Sequence, residues 1–207
     1  MLHLIKHPLI ETKLNMMRNE NTNNRDFKAI LDEIASLATY EVFKDLETHV
    51  TGKIKVPTGV EIDRVKLVKS VIIVPILRAG IGMSDGVQNM LPTARIGHIG
   101  LYRNEETLEP VEYYCKLPVV KNPLVLLCDP MLATGGSAIA AISMLKKRGY
   151  KDIRLLSLVG VKEGTDNVLK VHPDVEIYLC ALDEKLNEKG YIIPGLGDAG
   201  DRIFGTL

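Results

Sequence analysis

Residues 124–137 read Leu-Val-Leu-Leu-Cys-Asp-Pro-Met-Leu-Ala-Thr-Gly-Gly-Ser, an apolar run that stops at an acid and passes through small residues into the helical pattern of 138–148. In such a strand–loop–helix turn the peptide N–H groups of Thr134, Gly135, Gly136 and Ser137 can converge on one phosphate, aided by the helix N-terminus and two hydroxyls. Asp129 stands at the carboxyl end of the strand, where open α/β sheets place ligand-binding groups, and suits sugar hydroxyls or a magnesium shell. The competing reading is an ordinary tight strand-to-helix turn. GxxxxGK[ST] is absent and no GxGxxG stands in the right strand-to-helix context, so triphosphate hydrolysis and dinucleotide redox chemistry lose support.

Two arginines and the tail add to this. Arg78 follows the apolar run 71–77 and precedes Ala79-Gly80-Ile81-Gly82, which presents a guanidinium at a strand end beside a glycine turn. That arrangement suits a pyrophosphate oxygen, a task for a bidentate Arg rather than Lys; the alternative is a surface ion pair. Arg103 sits beside Glu105 and Glu106, where the residues alone favour a solvated salt bridge. The tail holds glycines at 190, 195, 197, 200 and 205 with Pro194, a density that argues for a backbone shaped around something. Few side chains there carry polar groups able to read a base, so main-chain N–H and C=O groups are the expected readers. The bland alternative is a glycine-rich cap on the fold. His3, His7, His49, His98 and His172 have no metal-like spacing and read as surface or packing residues.

These residues need a frame. The runs 71–77, 94–101, 124–128, 153–159 and 175–181 are strand candidates, several of them apolar almost throughout and most successive pairs separated by a helix-length segment, which predicts a five-stranded parallel sheet covered by helices on both faces. The polar stretch 19–24 precedes Phe27, Ile30, Leu31, Ile34, Leu37 and Ala38 at helical spacing, predicting an amphipathic helix that continues toward Leu46. Residues 49–65, around Pro57-Thr58-Gly59, predict a hairpin or irregular excursion. Residues 102–123 carry three prolines and alternate Val111, Tyr113, Cys115 and Leu117, as expected of a protruding β-arm or active-site loop.

The 207 residues suit one domain, 46% hydrophobic and 25% charged, which excludes disordered and fibrous classes. Lys plus Arg and Asp plus Glu both number 26, so no bulk attraction draws nucleic acid or an anionic membrane. Three cysteines, far apart, suggest reduced thiols in a cytoplasm rather than a disulfide framework. No apolar leader or spanning stretch stands out, and the chain reads as soluble and unexported.

The segment CDPMLATGGSA resembles the phosphoribosyl pyrophosphate loop of type I phosphoribosyltransferases, in the variant of the uracil phosphoribosyltransferase family. VPILRAGIGMSDG (74–86), YRNEETLEP (102–110), YIIPGLGDAGDRIFGT (191–206) and HPLI (7–10) are similar to that family too, in the right order over nearly the whole chain. Most relatives have two adjacent acids where Asp129-Pro130 stands here. The resemblance implies the type I fold, with a core of about residues 66–182 and a hood from the N-terminal helices and 183–207. It implies transfer of phosphoribosyl to uracil, giving uridine monophosphate. Arg78, Arg103, Asp129 and Asp198 are then the catalytic set, and phosphoribosyl pyrophosphate lies on Arg78, Arg103, Asp198 and Asp129, Pro130, Met131, Leu132, Ala133, Thr134, Gly135, Gly136 and Ser137. Tyr191, Ile192, Gly197, Asp198 and Ala199 line the uracil site. Magnesium is carried mainly by the substrate, with Asp198 facing it; Asp198 is also the nearest candidate to take the N1 proton. The arm is expected to close over the site and exclude water, and a homodimer or larger homo-oligomer is expected. Two rivals share the fold: an RNA-binding pyrimidine-operon regulator, against which stand zero net charge and 5% aromatics, and a transferase for another nucleobase, which calls for a different terminal block.

Overall fold

A computed structural model describes residues 1–103 and 110–206, the side chain of Arg103 excepted. The chain opens with β1 (Leu2–Leu4), α1 (Pro8–Arg18), α2 (Asn24–Val42), β2 (Thr48–Lys55) and β3 (Glu61–Leu67). The central part is β4 (Val71–Leu77), α3 (Ile81–Met90), β5 (Arg95–Ile96), β6 (His98–Arg103), β7 (Pro110–Lys116), β8 (Leu124–Cys128), β9 (Met131–Leu132), α4 (Gly136–Lys147), β10 (Asp152–Val161), α5 (Lys162–Val171) and β11 (Glu176–Asp183). The tail forms β12 (Lys185–Leu186), β13 (Ile192–Ile193) and α6 (Ala199–Phe204).

All five expected strands are present and parallel, in the order β11-β10-β8-β4-β6. Two further strands extend them: β1 runs parallel to β11 at one edge, and β7 returns antiparallel to β6 at the other. The apolar runs are continuous because alternate residues feed opposite cores. On β4, Val71 and Ile73 belong to the buried cluster that includes residues of α1, α2 and α3, while Ile72, Val74 and Ile76 belong to the one that includes residues of α4 and α5. This is the both-faces burial that a parallel sheet requires.

The strand order has a reversal between β4 and β8. In an open α/β sheet the crevice for ligands lies outside the carboxyl ends of the strands at such a reversal. Arg78 leaves β4 and Asp129 leaves β8 at that place.

Two segments depart from expectation. Helix α2 stops at Val42 rather than near Leu46, because Arg154 on β10 donates to the Val42 carbonyl and to both Asp45 carboxylate oxygens at 2.7 and 2.8 Å. The expected strand 94–101 is broken at Gly97 into β5 and β6. The arm of 102–123 is rooted in the sheet as its last strand, β7, and the stretch 104–109 lies outside the described residues. The excursion at 49–65 is a regular hairpin, β2 on β3, whose residues are exposed except for half-buried Leu67.

Candidate active site

The loop after β8 is held by its neighbours on all sides. The Asp129 amide donates to Leu156 O at 3.2 Å, and the Leu158 and Val159 amides donate to Pro130 O at 3.1 Å. Pro130 and Leu132 are therefore buried and can offer only backbone to a ligand. Gly135 has φ +86° and precedes α4 without any side-chain cap on the helix. Its positive φ favours glycine, and an added Cβ would also lie 2.8 Å from the Gly164 carbonyl of α5. Gly164 is constrained in turn, since its own Cβ would fall 2.1 Å from Ala133 O. Asn167 completes the clamp by donating Nδ2 to Thr134 O at 3.1 Å. Gly136 differs: an added Cβ would meet only Thr134 Oγ1, at 3.8 Å. No internal contact demands glycine there, so the space in front of it is open to a ligand.

Residues 129 and 131–138 enclose a hollow of about 70 Å³. A hollow of that size suits a single small group rather than a whole nucleotide. Thr134 and Ser137 are exposed at its rim, and the uncapped first-turn amides of α4 carry the positive end of the helix dipole. Burial pushes the Asp129 carboxyl up from 3.8 to about 7, against a weak hydrogen bond from the Met131 amide at 3.4 Å. A larger cleft of about 600 Å³ lies between β1, α1 and the end of β11; His7 and Pro8 of the HPLI block line it, but none of the candidate catalytic or substrate-binding residues does.

The turn after β4 abuts this loop. A Cβ on Gly80 would sit 2.3 Å from the Cys128 carbonyl and 2.7 Å from Ile76, so glycine at 80 lets the exits of β4 and β8 touch. Arg78 is half exposed, with Nη2 3.2 Å from Asp201 Oδ1 and its guanidinium 5.7 Å from the Phe204 ring centroid. The Leu77–Arg78 peptide is cis. The structure thus contains the ion pair weighed as an alternative for Arg78, and places it within the site. Arg103 ends β6, and its side chain lies outside the described residues.

The third side is the tail. Gly195 and Gly197 have φ +63° and +72°, bending the chain after Ile193–cis-Pro194 into α6. Asp198 caps that helix, accepting from the Asp201 amide at 2.9 Å through Oδ1, and both lie beside Gly200, 3.8 Å from whose Cβ position stands Arg78 Nη2. Ile192 and Ala199 are 3% exposed, whereas Tyr191, Gly197 and Asp198 are open. At Ile192 only the backbone can face a base. Two arginines hold the hood together. Arg202 donates to the carbonyls of Met17, Asn19 and Leu196 at 2.5, 2.7 and 2.9 Å and covers the Phe27 ring. Arg18 forks onto Asp183 at 2.7 and 2.9 Å and donates to Gly195 O, while Asp183 accepts from the Gly195 amide.

Sequence reasoning missed Gly164, Asn167, Arg18, Asp183 and the partners of Arg202. One usable signal existed: a lone glycine inside the helical pattern 162–171 points to a close approach.

A strand-end hollow, an arginine turn at the sheet's reversal and a tail packed on that turn are carried here on the fold of the type I phosphoribosyltransferases. The adenine phosphoribosyltransferase of Trypanosoma brucei, solved with AMP, pyrophosphate and ribose-5-phosphate, shares this fold at TM-score 0.61 and 12% identity, with 91% of this chain and 87% of that one covered. The family model described as uracil phosphoribosyltransferase matches residues 4–206. The uracil phosphoribosyltransferase of Mycoplasma mobile is 57% identical over the full length of both chains. The AQ2163 protein of Aquifex aeolicus superposes at TM-score 0.93 with 36% identity, covering 100% of this chain and 99% of that one. The chain belongs to the uracil phosphoribosyltransferase family.

Proposed function

We propose that this protein makes uridine monophosphate from uracil and phosphoribosyl pyrophosphate, a step of pyrimidine salvage. The observation that carries the reading, beside family membership, is the meeting of the phosphate hollow, the Arg78 turn and the glycine-bent tail at the reversal between β4 and β8.

In the reaction the C1–oxygen bond to diphosphate breaks, the C1–N1 bond forms, and the N1 proton leaves. Positive charge develops on the ribose ring and negative charge on the departing group, so catalysis consists of positioning and charge neutralisation. Amides of 134–137 grip the 5′-phosphate, and this remote binding orients the ring. Asp129, ionised above about pH 7, accepts from ribose hydroxyls. Arg78 and Arg103 receive the diphosphate. Main-chain groups of Ile192, Gly197 and Ala199, with Tyr191 beside them, read the uracil edge; a base of reversed polarity leaves a buried group unpaired at a cost of about 1–3 kcal/mol. Asp198 keeps Oδ2 beyond its capping bond and is the group assigned to the N1 proton.

Magnesium supplies neutralisation of the diphosphate oxygens when bound. Among the described residues no three His, Cys, Asp or Glu side chains gather to hold a metal, and Asp198 offers one further oxygen. That donor set fits an ion carried on substrate oxygens rather than a protein cage.

We place the protein in the cytoplasm as a homo-oligomer. Free Cys115, Cys128 and Cys180 support a reducing compartment, and among the described residues no helix is long and apolar enough to cross a membrane. The β2–β3 hairpin supports assembly. It bares Val50, Ile54, Ile62 and Val65, and an uncovered two-stranded hairpin is marginally stable in water.

The test is formation of uridine monophosphate from uracil, phosphoribosyl pyrophosphate and magnesium. Arg78→Ala is expected to lower kcat/KM by about 100-fold, or roughly 2.7 kcal/mol of transition-state stabilisation. Activity on adenine, guanine or orotate instead of uracil would overturn the assignment. Neither the RNA-binding nor the other-base alternative gains an observation in its favour.

A further inference from the structure

Arg78 arrives at the site already engaged. Its Nη2 lies 3.2 Å from Asp201 Oδ1, a residue 123 positions further along the chain. Asp201 is itself held: Thr206 Oγ1 donates to the same Oδ1 at 2.5 Å, the Asp201 amide donates to Asp198 Oδ1, and Gly205 and Thr206 amides close on the Asp201 carbonyl. The Phe204 ring of the same helix faces the guanidinium at 5.7 Å. The guanidinium side chain is 56% exposed and the carboxylate 27%, so an anion from solvent reaches the arginine while the aspartate stays fixed on α6.

We propose that Asp201 is a positioning residue that competes with diphosphate for Arg78, holding the guanidinium at the strand end between turnovers and reclaiming it as diphosphate leaves. The inference rests on the proposed phosphoribosyl transfer. A diphosphate carries several negative charges against one on Asp201 and offers bidentate oxygens, so it displaces the carboxylate when it binds. Two effects share a sign. Breaking the existing pair opposes diphosphate binding, and a carboxylate left a few ångströms away repels the anion. Both weaken retention of the product and keep Arg78 from wandering once it has gone. An ion pair this exposed contributes modestly, so the effect sought is small and opposite in direction to damage.

The experiment measures diphosphate binding to the intact protein with magnesium by equilibrium dialysis, alongside product inhibition and the separate KM and kcat values. Asp201→Asn is expected to tighten diphosphate by about two- to fivefold and to lower KM for phosphoribosyl pyrophosphate similarly, with kcat unchanged or reduced as product lingers. Asp201→Glu is expected to restore wild-type binding within about twofold. Asp201→Ser, neutral and compatible with a first helical turn, serves if the amide variant is unstable. A merely structural tail contact predicts the reverse, weaker binding of diphosphate and a raised KM for uracil. Unchanged or weakened diphosphate binding in the folded neutral variants overturns the proposal. Wild-type protein that makes no uridine monophosphate sinks the underlying reading instead.

Discussion

The loop after β8 and the hood are built on opposite plans. Residues 124–147 form one continuous strand–loop–helix, and what shapes their backbone lies on the adjoining β10 and α5, through the Leu156, Leu158, Gly164 and Asn167 contacts. The hood joins segments from both ends of the chain, and its polar ties are two arginines, Arg18 and Arg202, that span 165 to 185 positions. The loop proposed to hold the phosphoribosyl group is thus a local unit fixed by its neighbours, while the hood proposed to read the base depends on a few long-range bonds. Damage to either plan should therefore affect different substrates.

The largest effect is expected in the hood. Asp183 is buried, and Arg18→Ala leaves its carboxylate without its fork, a loss of about 3–5 kcal/mol in such settings. Denaturant unfolding should show that loss, and adding Asp183→Asn should recover much of it. In the surviving fraction, KM for uracil should rise more than KM for phosphoribosyl pyrophosphate; equal rises would erase the distinction between the two regions.

Next is the charge in the loop. The Asp129 carboxyl is raised from 3.8 to about 7 by burial, so the folded protein binds a proton there that the unfolded chain has lost. Stability from this group therefore falls as pH climbs between those values, and the full cost of the buried charge stands above about pH 7. Asp129→Asn should be more stable than wild type by up to about 4 kcal/mol at pH 8, the gap closing below about 1 kcal/mol at pH 4. Its kcat/KM should nonetheless collapse. A variant equally stable at both pH values would contradict the buried ionisation.

Smaller again is Gly164→Ala, whose Cβ would press on Ala133 O. Overpacking of this kind costs about 1–3 kcal/mol. KM for phosphoribosyl pyrophosphate should rise about tenfold, with KM for uracil nearly unmoved, as steady-state kinetics would reveal. The mildest is Asn167→Ala, which removes one hydrogen bond to Thr134 O and is expected to cost about 1 kcal/mol, seen as a fewfold weaker phosphoribosyl pyrophosphate interaction with the fold intact.

This contrast also explains what could be read in the sequence. The parallel strands follow from apolar runs alone, and the strand–loop–helix turn after β8 from fourteen consecutive residues, because both are local patterns. The hood is not local. Nothing near Arg18 announces Asp183, and the tail's glycines show that the backbone bends without showing onto what. The end of α2 at Val42 escaped for the same reason, being set by Arg154 from a distant strand. Strand β1 escaped because three residues beside β11 carry no periodicity to detect. The break at Gly97 has a cause within the fold: an added Cβ would meet Leu117 and Pro118 within 2.9 Å, where the returning chain crosses.

Gly136 has a consequence for how faults in this protein come to light. With only one neighbour at 3.8 Å from the position of a missing methyl group, alanine is welcome in the empty protein and even improves a helix start by up to about 1 kcal/mol. Such a variant would express like its parent and melt no lower, so screens for folding would pass it. Under the proposed role of the loop, selection on nucleotide supply, or a toxic uracil analogue that the cell must first activate, would expose the injury.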